Sequence, residues 1–261
     1  MNLLEWPLVA FTLLFQAGAG AAVFFWTASG KGTGLAPDLI LLVSAAVSAL
    51  LSLFHLGRPF RAPRSVVNLG RSWLSREILF LIGFGASAAG LVADEIFNLN
   101  AEGVFLPAAA ILGLACVFVM AKIYTLPSVP DWNTWRTPGA FFSATFVLGG
   151  TIAGVTVDGL KIPVLAVLAA AFFFTLVFSP RFGLAGRRAT ALGFRPDPAW
   201  PKIFAVRIAL LAAAFLFWGL ACLIPESASW TGYASLGAAV ASEAVGRLQF
   251  YDIPLGLSPR S

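Results

Sequence analysis

"PDLILLVSAAVSALLSLFHLG" (37–57), "RPFRAPRSVVNLGRSW" (58–73) and "LSREILFLIGFGASAAGLVA" (74–93) follow one another as apolar, arginine-rich and apolar stretches. Each outer stretch covers the roughly 20 residues that a helix needs to cross a bilayer. The middle stretch carries Arg58, Arg61, Arg64 and Arg71, and Arg76 follows within the next run. Proline and glycine make this connection irregular rather than helical. The reading is a helical hairpin in lipid whose basic turn stays on one side.

The same pattern recurs along all 261 residues, 59% of them hydrophobic and 11% charged, with a mean hydropathy of +0.88. A water-soluble domain of this length exposes far more Lys, Glu and Asp. Eight candidate spans emerge at 7–29, 37–57, 74–93, 104–124, 138–157, 162–179, 203–224 and 230–250. The runs are continuous rather than alternating, which disfavours a barrel of strands. The expectation is a single all-α membrane domain over 1–261, an eight-helix bundle with both termini on one side and the first run retained as a helix. No internal repeat is visible.

Charge sets the side. Fifteen of the 17 basic residues fall on the side of the termini, and only Lys31 and Lys161 face the other, beside Asp94, Glu95, Glu102, Asp158 and Glu226. The excess places both termini in the cytoplasm. Locally, Glu5 before the first span and Lys31 after it favour the reverse, but the whole-chain asymmetry outweighs them. Such a cationic face suits lipid head groups or an acidic partner protein rather than nucleic acid.

Metal chemistry within the chain is disfavoured. Cys116 and Cys222 lie far apart in apolar runs without paired spacing, and one His with two Met gives no axial pair for a b-type haem.

The candidate chemistry sits at the ends of the opening hairpin. Ser44, Ser48 and Ser52 recur every four residues, so small polar groups share one face of the second span. His55 follows Ser52 by three and faces inward with them. Glu77 lies one turn into the third span, and the arginine-rich turn returns the chain to the same surface. Ionisable groups at membrane depth are costly and functional by default. The plain alternatives are an imidazole bonded to a carbonyl and a Glu77 ion pair with Arg71 or Arg76. Together, imidazole and carboxylate suit a carrier that exchanges protons with electrons, since quinol oxidation needs proton acceptors near neutral pH.

Other residues read as structural. Trp132 and Trp135 suit an aromatic belt, Asp131 and Arg136 can pair across their loop, and Gln16 suits a bond across helices. Glu243 and Arg247, four apart, suit an intrahelical ion pair.

"HLGRPFRA" (55–62) and "GRSWLSREI" (70–78) resemble the DmsC family, membrane anchors of dimethyl-sulfoxide-reductase-type molybdoenzymes. "EWPL" (5–8), "PDWNTWRTP" (130–138) and "SEAVGRLQFY" (242–251) resemble it in the same order. The resemblance implies an eight-helix subunit, without haem or cluster of its own, that binds a quinone (ubiquinone or menaquinone). It further implies a four-cluster iron–sulfur subunit with [4Fe-4S] centres and a molybdopterin catalytic subunit as partners. It assigns quinol binding to His55 and Glu77; Arg58, Arg71, Ser52 and Trp73, close to them in the sequence, are the further quinone-binding candidates. Family members often begin H-E-W-P-L, whereas Leu4 stands in the His position here.

Periplasmic termini characterise the anchors of exported reductases, and the charge count here predicts the opposite. Sulfite-oxidising quinone reductases of the SoeABC type, with a cytoplasmic catalytic subunit, fit that orientation in a bacterial inner membrane. The expected function is therefore quinone-linked electron exchange, with sulfite oxidation as its form and a quinol-oxidising terminal reductase as the alternative. A solute transporter is less consistent, because the ionisable groups gather at one surface rather than the midplane. A purely structural anchor is the remaining alternative.

Overall fold

The computed structural model describes residues 6–28, 34–55, 69–127, 132–178, 200–224 and 228–252, without the side chains of residues 54, 55 and 252. Eight helices form among them: α1 (Trp6–Ala28), α2 (Leu35–His55), α3 (Trp73–Phe97), α4 (Glu102–Tyr124), α5 (Arg136–Thr156), α6 (Lys161–Phe178), α7 (Trp200–Leu223) and α8 (Ala228–Asp252). No strand occurs among the described residues. Each helix overlaps one apolar run of the sequence.

Seven of the helices are long and apolar enough to cross a membrane, and α8 is the exception. Its 25 residues include Thr231, Ser235, Ser242, Glu243, Arg247 and Gln249, all buried. The polar side of α8 therefore faces the bundle. Ile82, Ile111 and Leu216, by contrast, are 58%, 58% and 64% exposed. Apolar outside and polar inside is the arrangement that lipid favours.

The hub is α1, which packs against α2, α4 and α5. Its run Gln16–Ala22 is small after the first residue and buried throughout. A Cβ on Gly18 would collide with the Ser44 side chain of α2, and one on Gly20 with the Thr145 carbonyl of α5. A Cβ on Gly113 of α4 would lie 2.9 Å from that of Ala19. Backbones approach this closely only where side chains are absent, and dispersion between them replaces the missing hydrophobic drive in lipid. Ser44 and Ser48 are buried, so the serine face of α2 does meet a neighbour.

On the other side, α7 pairs with α8 and α6, and α5 links both groups. Trp218 of α7 is 1% exposed and donates its Nε1 hydrogen to the Lys161 carbonyl at 2.9 Å, tying α7 to the start of α6.

Candidate functional site

The start of α3 is fixed by local bonds that decide where Glu77 sits. Ser72 caps the helix, its hydroxyl accepting from the Ser75 amide at 3.2 Å. Arg76 turns back, donating from Nε to the Leu69 carbonyl (2.8 Å) and from Nη2 to the Gly70 carbonyl (3.0 Å). Its guanidinium also lies 4.3 Å from the Trp73 ring centroid. With Arg76 committed outward, Glu77 turns inward and is 8% exposed.

Glu77 lies against α4. The Cys116 thiol donates to the Glu77 backbone carbonyl at 3.6 Å. Among the described residues, no hydrogen bond or ion pair engages the Glu77 carboxylate, and Arg71 is exposed. The ion pair with Arg71 or Arg76 does not form there. A sheltered carboxylate without a cation can take up and return a proton, which a salt-bridged one does less readily.

The other hairpin residues are placed less completely. His55 closes α2, which packs against α3, but its side chain and the whole of Arg58 lie outside the described residues, as does Asp131. Ser52 is half-buried and donates its hydroxyl hydrogen to the Ala49 carbonyl at 2.8 Å, leaving it an acceptor toward any ligand. Trp73 is 38% exposed and meets Phe118 of α4 edge-on, with ring centroids 6.4 Å apart. It thus stands partly at the surface over the first turn of α3, one turn before Glu77.

Chain order brings the end of α4, the start of α5 and the end of α8 to this same end of the bundle. An aromatic cluster absent from the sequence reading forms there. Tyr124 meets Trp132, Phe141, Phe250 and Tyr251 at centroid distances of 5.5, 5.7, 5.4 and 5.5 Å. Trp132 stacks on Phe250 at 5.3 Å and 15° and donates Nε1–H to the Phe250 carbonyl at 3.1 Å. Trp132 is therefore an internal tie between loop and α8, not a belt residue; Trp135, 61% exposed, keeps a surface position.

Beneath the cluster lies a buried polar seam that corrects one expectation. Glu243 and Arg247 do not pair along α8. Glu243 Oε2 instead takes Arg207 Nη2 of α7 at 3.4 Å. Arg247 Nη2 donates to Gln16 Oε1 of α1 at 2.7 Å, with its guanidinium 3.7 Å from the Phe141 centroid. Neighbouring helices supplied better-placed partners than the next turn of the same helix. A Cβ on Gly246 would come within 2.5 Å of Arg207 Cζ, so the bare backbone there gives Arg207 its way to Glu243. The sequence signal for this seam was a lone cation on α8 and a lone amide on α1, each needing a distant partner.

No group of three or more His, Cys, Asp or Glu side chains comes together as a metal site among the described residues.

Residues 1–253 match the family described as DMSO reductase anchor subunit (DmsC). The C subunit of the anaerobic dimethyl sulfoxide reductase of Escherichia coli (strain K12) is 29% identical over 238 residues, 82% of either protein. The YnfH subunit of an anaerobic dimethyl sulfoxide reductase of the same strain is 27% identical over 280 residues, covering 95% of this protein and 94% of its own length. The C subunit of the Haemophilus influenzae enzyme is 33% identical over 162 residues, 57% of either protein. No solved structure matches.

Proposed function

Because the protein belongs to the DMSO reductase anchor subunit (DmsC) family, we propose that it is the quinone-reactive membrane anchor of a molybdopterin oxidoreductase complex. The observation that carries this reading is the Glu77 carboxylate, 8% exposed and without a cation among the described residues, at the bundle end where α2 finishes in His55. A quinone headgroup would dock between these two residues, within reach of Ser52, Arg58, Arg71 and Trp73. Quinol gives up two protons with its two electrons. His55 and Glu77 would take the protons, and the electrons would pass to the nearest [4Fe-4S] cluster of an iron–sulfur partner and on to a molybdopterin subunit. Reduction of quinone runs the same steps backward.

Orientation refines the reading. Fifteen basic residues on the side of His55, against two opposite, favour cytoplasmic termini in the inner membrane and a catalytic subunit on that face. That placement supports sulfite oxidation coupled to quinone reduction. The names of the relatives favour a second form, in which quinol is oxidised to reduce dimethyl sulfoxide. Assaying the assembled complex with each substrate separates the two.

The site is tested by His55→Ala in the assembled complex. Quinone-linked turnover should vanish while turnover with an artificial dye persists, because the dye reaches the partner's clusters directly. Undiminished quinone turnover would remove the assignment.

A further inference from the structure

Tyr124 closes α4 at the bundle end where α3 begins, and the contacts between these two helices set it toward Glu77. The short turn at 98–101 makes α3 and α4 antiparallel neighbours. Their register is fixed twice, by the Cys116 thiol on the Glu77 carbonyl at 3.6 Å and by Trp73 against Phe118. Tyr124 lies about 12 Å beyond Cys116 along α4. Side chains lean toward the start of their own helix, so Glu77 leans toward the bundle end and Tyr124 leans back from it. The two polar tips approach across the α3–α4 seam, where the Glu77 charge acts on the Tyr124 hydroxyl.

Four aromatic rings hold the Tyr124 ring, Trp132 and Phe250 edge-on, Phe141 and Tyr251 tilted. A phenol held this way has lost its rotamer freedom before any ligand arrives, so a bond from it costs little further ordering. Arg247, 3.7 Å from the centroid of Phe141, acts on the same hydroxyl from α8 and polarises its hydrogen toward an acceptor on the α3 side.

Resting on the reading of Glu77 as an acid of the quinone site, we propose that Tyr124 is a further residue of that site, donating its hydroxyl hydrogen to a quinone oxygen. The ligand class fits the donor. A quinone ring carries oxygens on opposite edges, and each accepts a hydrogen bond in the quinone and in the quinol alike, because the quinol hydroxyl keeps its lone pairs. Tyr124 can therefore hold the ring in both oxidation states, while protons move only at His55 and Glu77. The phenol itself neither gains nor loses a proton.

Tyr124→Phe in the assembled complex, assayed with decylubiquinone and with a short-chain menaquinone, tests this. Phenylalanine keeps the ring and removes only the donor. KM for the quinone should rise about three- to tenfold, the scale of one neutral hydrogen bond, with kcat and dye-linked turnover nearly unchanged. KM does not depend on the amount of folded complex, so a lower yield leaves the readout intact. Trp132→Phe disturbs the same cluster but keeps the Tyr124 hydroxyl, and should leave KM where it was. An unchanged KM in Tyr124→Phe, or an equal rise in both variants, would overturn the assignment. Failure of the underlying reading looks different. His55→Ala and Glu77→Gln would then leave quinone turnover intact, while a raised KM in Tyr124→Phe alone would still support the phenol–quinone bond.

Discussion

Glu77 on α3 and Glu243 on α8 are both buried carboxylates in helices of one bundle, and their surroundings differ in the one respect that governs their chemistry. Glu243 has a cation, Arg207, at 3.4 Å, and a second guanidinium one turn away. Such a carboxylate holds helices together, and removing its partner would strand a charge in low dielectric. Glu77 has no cation among the described residues, because Arg76 turns out to two carbonyls and the Trp73 ring. On the proposed function, the absence of a fixed counter-charge, and not burial alone, separates the acid that exchanges a proton from the one that joins helices.

Neutralising the two acids separately puts that distinction at risk. Glu77→Gln should lower quinone-linked turnover by about 10²-fold or more, the usual scale for a lost proton acceptor, with dye-linked turnover retained. Glu243→Gln should leave both activities per folded complex unchanged while lowering Tm. If Glu243→Gln, not Glu77→Gln, stopped quinone turnover, the assignment of roles would be reversed.

The next largest effect concerns the hub that holds both regions in place. A Cβ at Gly149 would collide with the backbone of Gly20 and Ala21, which no rotamer change relieves. Gly149→Leu should cost more than about 3 kcal/mol by overpacking, seen as loss of folded protein on extraction from the membrane. An unchanged yield and Tm would mean that α1 and α5 do not approach as described.

Arg247→Met sharpens the picture of the α8 side. It deletes the buried bond to Gln16 and the stacking over Phe141, for a loss of about 2–4 kcal/mol. Thermal unfolding in detergent measures it. A loss below about 0.5 kcal/mol would mean that the guanidinium is bonded to water and contributes no more than a surface residue.

These contrasts also mark what could be read without coordinates. Helix number and class were legible because lipid suppresses the alternatives: backbone groups must be satisfied within the segment, so continuous apolar runs become helices. The serine face of α2 and an inward bond for Gln16 were legible for a similar reason, since polar groups in lipid turn to one another. The partner of Arg247 was not, because Gln16 lies 231 residues away and no local rule selects it over Glu243. Nor was Trp132, whose belt-like position in a loop gave no sign of the Phe250 carbonyl it reaches. Of the candidate site, Glu77 could be located by its turn within α3, but what became of its nearby arginines depended on how the backbone enters that helix.

Trp132→Phe is the smallest of these perturbations and separates two explanations of the aromatic cluster. Phenylalanine keeps a ring to stack on Phe250 but cannot donate to its carbonyl, 3.1 Å from Nε1. The acceptor lies in the last turn of α8, where a helical carbonyl has no amide ahead of it within the helix, so losing the donor leaves a half-buried oxygen to find water instead. A net loss of about 1 kcal/mol is expected, read as a modest fall in Tm, with quinone turnover per folded complex unchanged. If the indole bond merely accompanies good stacking, Tm will not move. If turnover falls while Tm holds, the cluster does more than close the α8 side, and the separation between a working Glu77 region and a supporting α8 region fails.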